Sequence, residues 1–503
     1  MGNAMADKSI IIIGAGIGGL ATGCYAQMNG YRTQIFEMHT QPGGVCTSWK
    51  RKGYTFDGCV HHLAGCTPGS KIYRMWEELG AMPRPIHYPE DLLCVEGTDG
   101  RRFTVYTDLD RLEQHMRGLA PADGPAIEEF IQAARRFTRF NMMEMLLARP
   151  WEMARMLPHL GLLGKWGKIT LEQYAARFRD PFLRRAFPMI QYDFPDIPAL
   201  IALMFISGCH NRYLGWPAGG ALEFAQSIAR RYRELGGELY TKARVARVLV
   251  EHGSQGDRAV GIRLEDGAEH RADVVISNAD GHTTIFDMLD SQYTTDRVRA
   301  YYTTHAPERQ VMSLHVGLGV ARDLTREPHA LVLWLPEPVN VAGETHDRLD
   351  LELFAFAPEM APAGKTVLKA YFPTTYAYWK DLRAQGAAYA AEKQRVAETV
   401  IEQLERRFPG LSQQVEVVDV ATPVTTERFV GSYRGFQAWG IPNQGFVEAI
   451  SGQGLSKILP GLDRFYMAGQ WAGGLGLPNV AAMGRKVIET ICKRDGRRFV
   501  ASF

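Results

Sequence analysis

A run of closely spaced glycines near the start of the chain has the spacing needed to hold a phosphate group. The run is Gly14-Ala15-Gly16-Ile17-Gly18-Gly19. It directly follows the isoleucine-rich residues 9–13, which are typical of a parallel strand buried on both faces. Gly14 would form the tight turn, Gly16 would let the backbone approach a pyrophosphate, and Gly19 would let the next helix, predicted over 20–30, pack close to the strand. The free N–H groups and positive end of that helix would attract the phosphates.

Glu37 supplies the second feature of a dinucleotide site. It ends a strand predicted over 31–38 and lies 18 residues past Gly19. A carboxylate in this position can accept hydrogen bonds from both ribose hydroxyls and would repel a 2′-phosphate. Glycine-rich turns also occur for purely structural reasons. The order of strand, glycines, helix, strand and terminal acid favours a true dinucleotide site.

The segments that follow favour FAD over NAD as this dinucleotide. Gly43 and Gly44 come soon after Glu37, and a hairpin is predicted at 53–57. A glycine-bearing segment that returns to the cofactor suits a large ligand lying extended along the chain. Two later stretches, 236–279 and 464–493, are predicted to rebuild the same sheet from distant sequence. The positions there that we predict to contact the cofactor are Val245, Asn278, Ala279, Gly469, Asn479 and Val480.

The last of these stretches would place a second helix N-terminus over the ligand. A short apolar strand ends in Gly469, and a helix is predicted over 480–493. Such a helix end would stabilise negative charge on a reduced flavin ring by about 0.3–2 kcal/mol. Residues 469–479 contain no cysteine that could tether a flavin. The FAD is therefore predicted to be bound non-covalently.

Four motifs spread over nearly the whole chain carry a family resemblance. They are Pro42-Gly43-Gly44 with Phe56-Asp57, Tyr213-Leu214-Gly215-Trp216-Pro217-Ala218-Gly219-Gly220, Ala421-Thr422-Pro423-Val424-Thr425, and Phe465-Tyr466-Met467-Ala468-Gly469. Together they resemble the flavin-containing amine oxidase superfamily, and within it the phytoene desaturase, carotenoid isomerase and retinol saturase group. The resemblance implies an FAD-dependent oxidoreductase that acts on C=C or C–C bonds of a hydrophobic polyene or isoprenoid.

The chain departs from the desaturase pattern at two places. Val45 stands where desaturases usually carry an arginine beside the pyrophosphate, and residues 56–62 lack the Gly-Pro that desaturases place after Phe-Asp. Val45-Cys46 and His61 are more similar to the retinol saturase pattern. Two other functions remain open within the same fold: an amine or porphyrinogen oxidase, and a non-catalytic binding protein of the GDP-dissociation-inhibitor type.

The predicted fold class is α/β, with a Rossmann-type FAD-binding domain, a mixed-sheet substrate domain and a helical cap. The FAD domain is assigned to 7–90, 213–290 and 421–503, the helical cap to 91–212 and the substrate domain to 291–420. Within the substrate domain, strands are predicted at 310–320, 329–335, 349–356 and 366–372, and a helix at 388–407.

Candidate acid–base residues are few, because hydride transfer needs little beyond positioning a carbon near the flavin. We predict His61 and His62, near the flavin by motif position, and Asp193 and Asp196, in a segment that resembles the family's substrate-facing cap region. Both aspartates could instead cap a helix or turn beside proline, and the histidines could simply hydrogen-bond FAD. Lys369 is similar in placement to the lysine of amine oxidases, but a solvated strand lysine is the preferred interpretation.

The sequence shows no second glycine motif that could bind a nicotinamide cofactor as the source of electrons. Residues 316–320 contain two glycines but continue a strand into Arg322. We therefore predict no NADPH domain, so that a quinone, oxygen or a bimolecular reductant exchanges electrons with the flavin.

Composition limits the partners. The formal net charge is +2, which gives no support to nucleic acid as a partner, and the seven cysteines form no C-x-x-C pair that would suggest a metal site. Residues 141–166 hold five Met and two Trp, with Arg149, Arg155 and Lys165. We weigh a helical pair packed into the core against a peripheral membrane patch or tunnel mouth for a long apolar substrate. The predicted location is cytoplasmic, with membrane contact through this segment on the inner face.

Overall fold

The computed structural model describes residues 8–148, 150–191, 197–254, 256–305, 309–436, 456–474 and 476–501. The strands within these ranges are β1 Ser9–Ile13, β2 Arg32–Phe36, β3 Ser48–Arg51, β4 Tyr54–Asp57, β5 Leu63–Ala64, β6 Ile86–His87, β7 Asp91–Glu96, β8 Arg102–Tyr106, β9 Leu214–Pro217, β10 Glu238–Tyr240, β11 Val245–Glu251, β12 Asp257–Leu264, β13 Glu269–Arg271, β14 Val274–Ser277, β15 Arg309–Val320, β16 Ala330–Val341, β17 Glu344–Leu353, β18 Thr366–Thr375, β19 Val415–Ala421, β20 Leu462–Asp463 and β21 Phe465–Met467.

The α-helices within the same ranges are α1 Ile17–Met28, α2 Lys71–Glu78, α3 Leu109–Leu119, α4 Gly124–Phe137, α5 Leu160–Trp166, α6 Leu171–Ala175, α7 Pro181–Ala186, α8 Ala199–His210, α9 Gly220–Glu234, α10 Asp296–Ala300, α11 Tyr376–Ala384, α12 Ala387–Arg407, α13 Pro423–Val430, α14 Gln470–Gly473 and α15 Leu477–Arg494. Shorter helical turns of the 3₁₀ type cover Met142–Leu147 and Pro150–His159, among others.

The first sheet is a five-stranded parallel sheet in the order β10-β2-β1-β14-β21. Its central strand β1 is buried along Ile10–Ile13, as an isoleucine run between two covered faces requires. The Rossmann-type α/β architecture predicted from the sequence is therefore confirmed. Helix α1 begins at Ile17, earlier than predicted, because Gly18 and Gly19 belong to its first turn. A Cβ on Gly19 would lie 2.1 Å from the Gly14 carbonyl oxygen, so only glycine permits this contact between helix and strand.

The hairpin after β10 does not join this sheet, which corrects one sequence prediction. Strands β11, β12 and β13 form a separate antiparallel sheet, with β20 added alongside β12. Only β10, β14 and β21 extend the parallel sheet from distant sequence. Only Val245 and Val248 of the seven β11 residues are buried, whereas an inner parallel strand would be covered on both faces.

A seven-stranded mixed sheet, in the order β19-β15-β18-β17-β16-β7-β8, forms the second large layer. Strands β7 and β8 come from 91–106, which the sequence analysis grouped with the helical region. The side chains of β8 alternate between buried and more exposed, as in an edge strand, whereas the four central residues of β7 are all buried. Helices α3 to α8 then pack around a buried cluster that includes Phe130, Trp166 and Phe187. The division of the chain into three parts stays a prediction. Strands β7 and β8 pair with the mixed sheet.

Residues 141–166 are packed into the core at their ends and exposed between them, and the membrane contact that the sequence left open stays a prediction. Their ends pack inward: Met143 and Leu147 contact one core cluster and Trp166 is buried in another. Between these ends, the large apolar side chains of Trp151, Met153, Leu157 and Leu160 are 67%, 46%, 65% and 52% exposed. Arg149 lies outside the described residues. Among the helices that the structure describes, none has the length and apolar character needed to cross a membrane.

Candidate active site

Four glycine-bearing segments converge at the carboxyl edge of the parallel sheet. The Gly43 N–H donates to the Ala15 carbonyl oxygen over 2.9 Å, and Gly43 pairs with Gly16 as an isolated parallel bridge. A Cβ on Gly18 would lie 2.4 Å from Asn278 Oδ1 and 2.8 Å from the Gly469 Cα. Backbone from the start, middle and end of the chain thus forms one cradle, which we call the glycine cradle: Gly14, Gly16, Gly18, Gly19, Gly43, Gly44, Asn278, Ala279 and Gly469.

Two helices begin at this cradle without a side-chain cap. Helix α1 has Gly16 at its N-cap and α15 has Gly476, and neither carries an acidic residue in its first turn. Asn479 and Val480 lie in the first turn of α15, and their contact with a flavin stays a prediction. The first N–H groups of an α-helix have no partner within the helix, and they favour an anionic ligand. A cradle that any Cβ would fill, facing two uncapped helix ends, fits the pyrophosphate and ring of a dinucleotide.

Glu37 lies at the edge of the glycine cradle, directly after β2. Its carboxylate accepts hydrogen bonds from the N–H groups of Ala15 at 2.7 Å and His39 at 2.8 Å. Burial raises the pKa of this carboxyl group, while these two N–H donors lower it. Each oxygen still has acceptor capacity for a ribose hydroxyl. Val245 opens β11 close by, since the Ala243 N–H donates to the Glu37 carbonyl oxygen. The roles of Glu37 and Val245 toward the cofactor stay predictions.

A cluster of buried polar side chains lies where the glycine cradle meets the seven-stranded sheet. Asp57 ends β4, is fully buried, and accepts hydrogen bonds from the N–H groups of Ala221 at 2.5 Å and Cys59 at 2.9 Å. Lys369 of β18 donates to the Asp57 carbonyl oxygen, and its Nζ lies 3.5 Å from Glu352 Oε2 of β17. The start of helix α9 therefore contacts the Asp57 carboxylate, and Lys369 of the seven-stranded sheet contacts the Asp57 carbonyl oxygen.

Glu352 is the centre of this cluster. Each of its carboxylate oxygens has a side-chain partner: the His61 Nδ1 contacts Oε1, and the Tyr371 hydroxyl donates to Oε2. The His315 ring packs on Tyr371 with 4.9 Å between ring centres, and its Nε2 lies 2.8 Å from the Met312 carbonyl oxygen. Asp57, His61, His315, Glu352, Lys369 and Tyr371, kept together below as the charge cluster, join a loop of the nucleotide domain to three strands of the mixed sheet.

The electrostatics of the charge cluster follow from burial and mutual contact. Burial opposes ionisation of Glu352, but the charges of His61 and Lys369 and two hydrogen bonds hold its pKa well below its usual range. Burial, aided by the Lys369 charge, lowers the pKa of His315 to about 3. Burial raises the pKa of Asp57, although Lys369 and three backbone N–H groups oppose that rise. The cluster therefore combines a carboxylate that stays ionised with a histidine that stays neutral near pH 7.

The glycine cradle and the charge cluster meet at Ala221. The Cys46 thiol, two residues past the Gly43-Gly44 pair, donates to the Ala221 carbonyl oxygen over 3.4 Å. The Ala221 N–H donates to the Asp57 carboxylate. The charge cluster is thus joined through Ala221 to the loop that closes the cradle.

The predicted catalytic residues have different outcomes. His61 is part of the charge cluster. His62 lies beside it, with its ring centre 6.0 Å from that of His329 and 6.1 Å from that of Phe205. Asp193 and Asp196 lie outside the described residues. Whether His61 and His62 act in catalysis stays a prediction.

The interpretation of Lys369 as a solvated strand lysine is wrong. Its side chain is 2% exposed. Strand β18 lies between β15 and β17 in the sheet. Successive side chains along it are buried, so both of its faces are covered. Glu352, Tyr371 and His315 were not predicted at all. The usable signal was a charged residue inside an otherwise apolar strand, because a buried lysine requires a partner.

Among the residues that the structure describes, no group of three or more His, Cys, Asp or Glu side chains is arranged so that it could hold a metal ion. All seven cysteines are described, and all are free thiols.

Comparison with known proteins agrees with this arrangement. Residues 12–79 match the model of an NAD(P)-binding Rossmann-like domain. The chain is 24% identical to a chloroplastic prolycopene isomerase of Arabidopsis thaliana, over 84% of this chain and 73% of that protein. It is 22% identical to an all-trans-retinol 13,14-reductase of Danio rerio, over 85% of this chain and 77% of that protein. It is 24% identical to a neurosporene-forming phytoene desaturase of Rhodobacter capsulatus, over 96% and 93%. These relatives confirm the resemblance found in the sequence.

Solved structures share the fold at lower identity. A putrescine oxidase bound to putrescine matches with a TM-score of 0.58 and 14% identity, over 97% of this chain and 99% of that chain. An oxidoreductase from Methanosarcina mazei matches with a TM-score of 0.56 and 19% identity, over 96% and 100%. A Rab GDI from Plasmodium falciparum matches with a TM-score of 0.51 and 10% identity, over 98% and 99%. The fold is therefore common to oxidases and to a GDI, so that the function has to be argued from the residues of the site.

Proposed function

We propose that the protein is an FAD-dependent oxidoreductase that acts on the C=C or C–C bonds of a hydrophobic polyene or isoprenoid, with the FAD held non-covalently. The observation that carries the proposal is the meeting of the glycine cradle and the charge cluster at Ala221. The relatives that span most of the chain support the substrate class, since they are a prolycopene isomerase, a retinol reductase and a phytoene desaturase.

The cofactor, when bound, supplies or accepts the hydride. The chain's own residues do the rest. Gly16 would let the backbone approach the pyrophosphate at the start of α1, and Gly18 lets that helix pack against Asn278 and Gly469. Glu37 would accept hydrogen bonds from the ribose, and the N–H groups at the uncapped start of α15 would stabilise negative charge on the ring. Lys369 and Glu352 form an ion pair inside the protein, which fixes charges of known sign beside the reacting carbon without reorganisation of solvent.

The test of this proposal uses the purified protein with three polyenes: prolycopene, all-trans-retinol and phytoene. With the flavin reduced under anaerobic conditions, saturation consumes reduced flavin and isomerisation leaves it reduced. Desaturation proceeds only from the oxidised form. We expect conversion of at least one polyene by one of these routes. A flavin-loaded protein that converts none of the three in either redox state would contradict the proposal.

An amine oxidase is the competing enzyme, since a putrescine oxidase shares the fold. Hydrogen peroxide released on adding putrescine in air would favour it. A binding protein of the GDP-dissociation-inhibitor type also shares the fold. Such a protein has no need of two uncapped helix ends at a glycine cradle, and a purified protein without flavin absorbance would favour it.

We also propose that the exposed side chains of Trp151, Leu157 and Leu160 contact a membrane surface. An aromatic and two leucines in one exposed stretch would each gain free energy on leaving water, at about 0.8 kcal/mol for each buried CH₂. Arg155 is exposed in the same stretch and would face anionic headgroups. A long apolar substrate could then pass from the bilayer to the protein without crossing water.

Cosedimentation with vesicles of phosphatidylcholine and phosphatidylglycerol tests this contact. The double variant Trp151→Ser, Leu157→Ser should bind the vesicles at least tenfold more weakly than the parent chain. Ile458→Ser is the matched control, since Ile458 is 47% exposed on another part of the chain. Equal binding by the parent chain and the double variant would contradict the proposed contact.

A further inference from the structure

A cavity of about 250 Å³ lies beside the charge cluster and reaches the protein surface. His62 lines it, together with Asp91, and the exposed side chains of Glu90 and Arg212 lie at its outer end. The wall also includes Cys209, His210 and Gly215. Glu90, Asp91, Asp108, His210 and Arg212 are among its lining residues, which is unlike a tunnel for a polyene. The cavity therefore connects water to His62 rather than apolar substrate to the flavin.

Asp91 and His62 line this cavity, and His329 contacts both of them, so that the three polar side chains form a row. Asp91, at the start of β7, places its Oδ2 3.3 Å from the Nδ1 of His329. The His329 ring centre is 6.0 Å from that of His62, a separation that one water molecule can bridge. His61, which directly precedes His62 in the chain, contacts Glu352 in the charge cluster. The row thus leads from solvent to the edge of the candidate active site.

We propose that Asp91, His329 and His62 form a proton relay that carries the proton which must accompany hydride transfer at a C=C bond. This inference rests on the proposed function. Nothing in the sequence motifs or in the names of the relatives assigns a role to Asp91 or His329.

The relay balances the chemistry in both redox directions. In saturation, one carbon of the double bond takes the hydride that reduced flavin supplies. The π electron pair then forms the second C–H bond with a proton from a His62 N–H. His62 recovers a proton from His329, and His329 recovers one from bulk solvent that enters the cavity beside Asp91, so that the net proton comes from solvent. In desaturation, to oxidised flavin, the same proton leaves along the row in the opposite direction.

The electrostatic state of His62 suits this role. Burial, with the positive charges of His329 and His61 against the opposing charge of Glu352, lowers the pKa of His62 to about 3. The ring is therefore neutral near pH 7 and holds one N–H and one free acceptor nitrogen. A neutral imidazole can take up a proton on one nitrogen as it gives up the proton on the other.

The relay predicts that a small molecule can replace the missing ring. The variant His62→Ala should convert the polyene about 10²-fold more slowly, and added imidazole should restore most of the rate, because the cavity admits it. Thiazole, of similar size but without an N–H, should restore nothing. His210→Ala is the matched control: it removes another histidine from the same cavity wall, outside the row, and should keep the parent rate.

A second readout does not depend on turnover. Imidazole should raise the melting temperature of His62→Ala and leave that of the parent protein unchanged, since a ligand that binds the folded state alone stabilises it. Asp91→Asn should slow turnover of the parent protein about tenfold.

The outcomes separate this inference from the proposed function. If the parent protein converts no polyene, the proposed function fails first. If the parent is active and His62→Ala is equally fast, the relay is wrong. Stabilisation of His62→Ala by imidazole without recovery of the rate also overturns it, because the ring is then only a packing element. Recovery with imidazole, absent with thiazole, supports the relay.

Discussion

Glu352 and Lys369 stand directly opposite each other on neighbouring antiparallel strands, with their charged atoms 3.5 Å apart and both side chains buried. Their strands, β17 and β18, are inner strands of the seven-stranded sheet. Water cannot satisfy either charge there, so each depends on the other and on their shared neighbours His61, Tyr371 and Asp57. The pair therefore fixes charge at the candidate active site as a property of the fold.

Lys369→Met should destabilise the protein by about 3–5 kcal/mol, because it leaves the Glu352 carboxylate buried without its strongest fixed cation. Glu352→Gln should also destabilise it. The double variant should lose less than the sum of the two single losses, since removing both charges leaves no uncompensated ion. Urea denaturation of the four proteins measures this coupling. Additive losses would show that the two residues do not interact.

Glu37→Ala should lower the flavin content of the purified protein severalfold, because it removes the acceptor for the ribose and frees the Ala15 N–H of the glycine cradle. Glu37→Gln keeps one oxygen and should retain more flavin than Glu37→Ala. The ratio of flavin absorbance to protein gives the result. Unchanged flavin content in Glu37→Ala would contradict the predicted ribose contact.

The first part of the glycine cradle could be predicted because its signals are local, whereas Asn278 and Gly469 reach it from distant sequence. Gly14, Gly16 and Gly19 follow an apolar strand at fixed spacing, and Glu37 follows the next strand. The charge cluster is non-local, since Asp57, Glu352 and Lys369 come from three distant strands that only the sheet brings together. Single-sequence periodicity contains no information about which strands become neighbours.

The same reasoning explains the errors in detail. Lys369 was interpreted as solvated because lysine is usually exposed, and the apolar residues on either side were not weighed as evidence of an inner strand. Helices were predicted in 91–212 only from Leu109 onward, and the assignment of this segment to a cap and substrate region stays a prediction. The error at Lys369 arises because tertiary position outweighs residue type.

Gly18→Ala should greatly reduce flavin content and destabilise the protein by about 1–3 kcal/mol. The new Cβ would lie 2.8 Å from the Gly469 Cα, and this backbone atom cannot move aside without opening the cradle. Gly118→Ala is the matched control in helix α3, where nothing lies within 4 Å of the new Cβ. It should keep the flavin and stabilise the helix by about 0.5–1 kcal/mol. Loss of flavin from both variants would show that the effect is not specific to the cradle.

His315 should make the protein sensitive to moderately acid pH. Burial and the Lys369 charge lower its pKa from 6.5 to about 3 in the folded state, whereas the unfolded chain takes up a proton near the ordinary value. Between these two values the unfolded state binds more protons, so that stability falls as the pH falls from 6.5 toward 3, by about 1.4 kcal/mol per pH unit for this one group. His62 adds a second loss over the same window.

His315→Asn should reduce this acid-dependent loss of stability, because asparagine takes up no proton and its amide can still donate to the Met312 carbonyl oxygen. His210→Asn is the control, since the partly exposed His210 side chain meets water in both states. Urea midpoints measured from pH 7 to pH 4 should fall less steeply for His315→Asn than for the parent chain, and equally steeply for His210→Asn. Parallel lines for the parent and His315→Asn would mean that the buried ring is protonated in the folded protein, and the neutral histidine in the charge cluster would have to be abandoned.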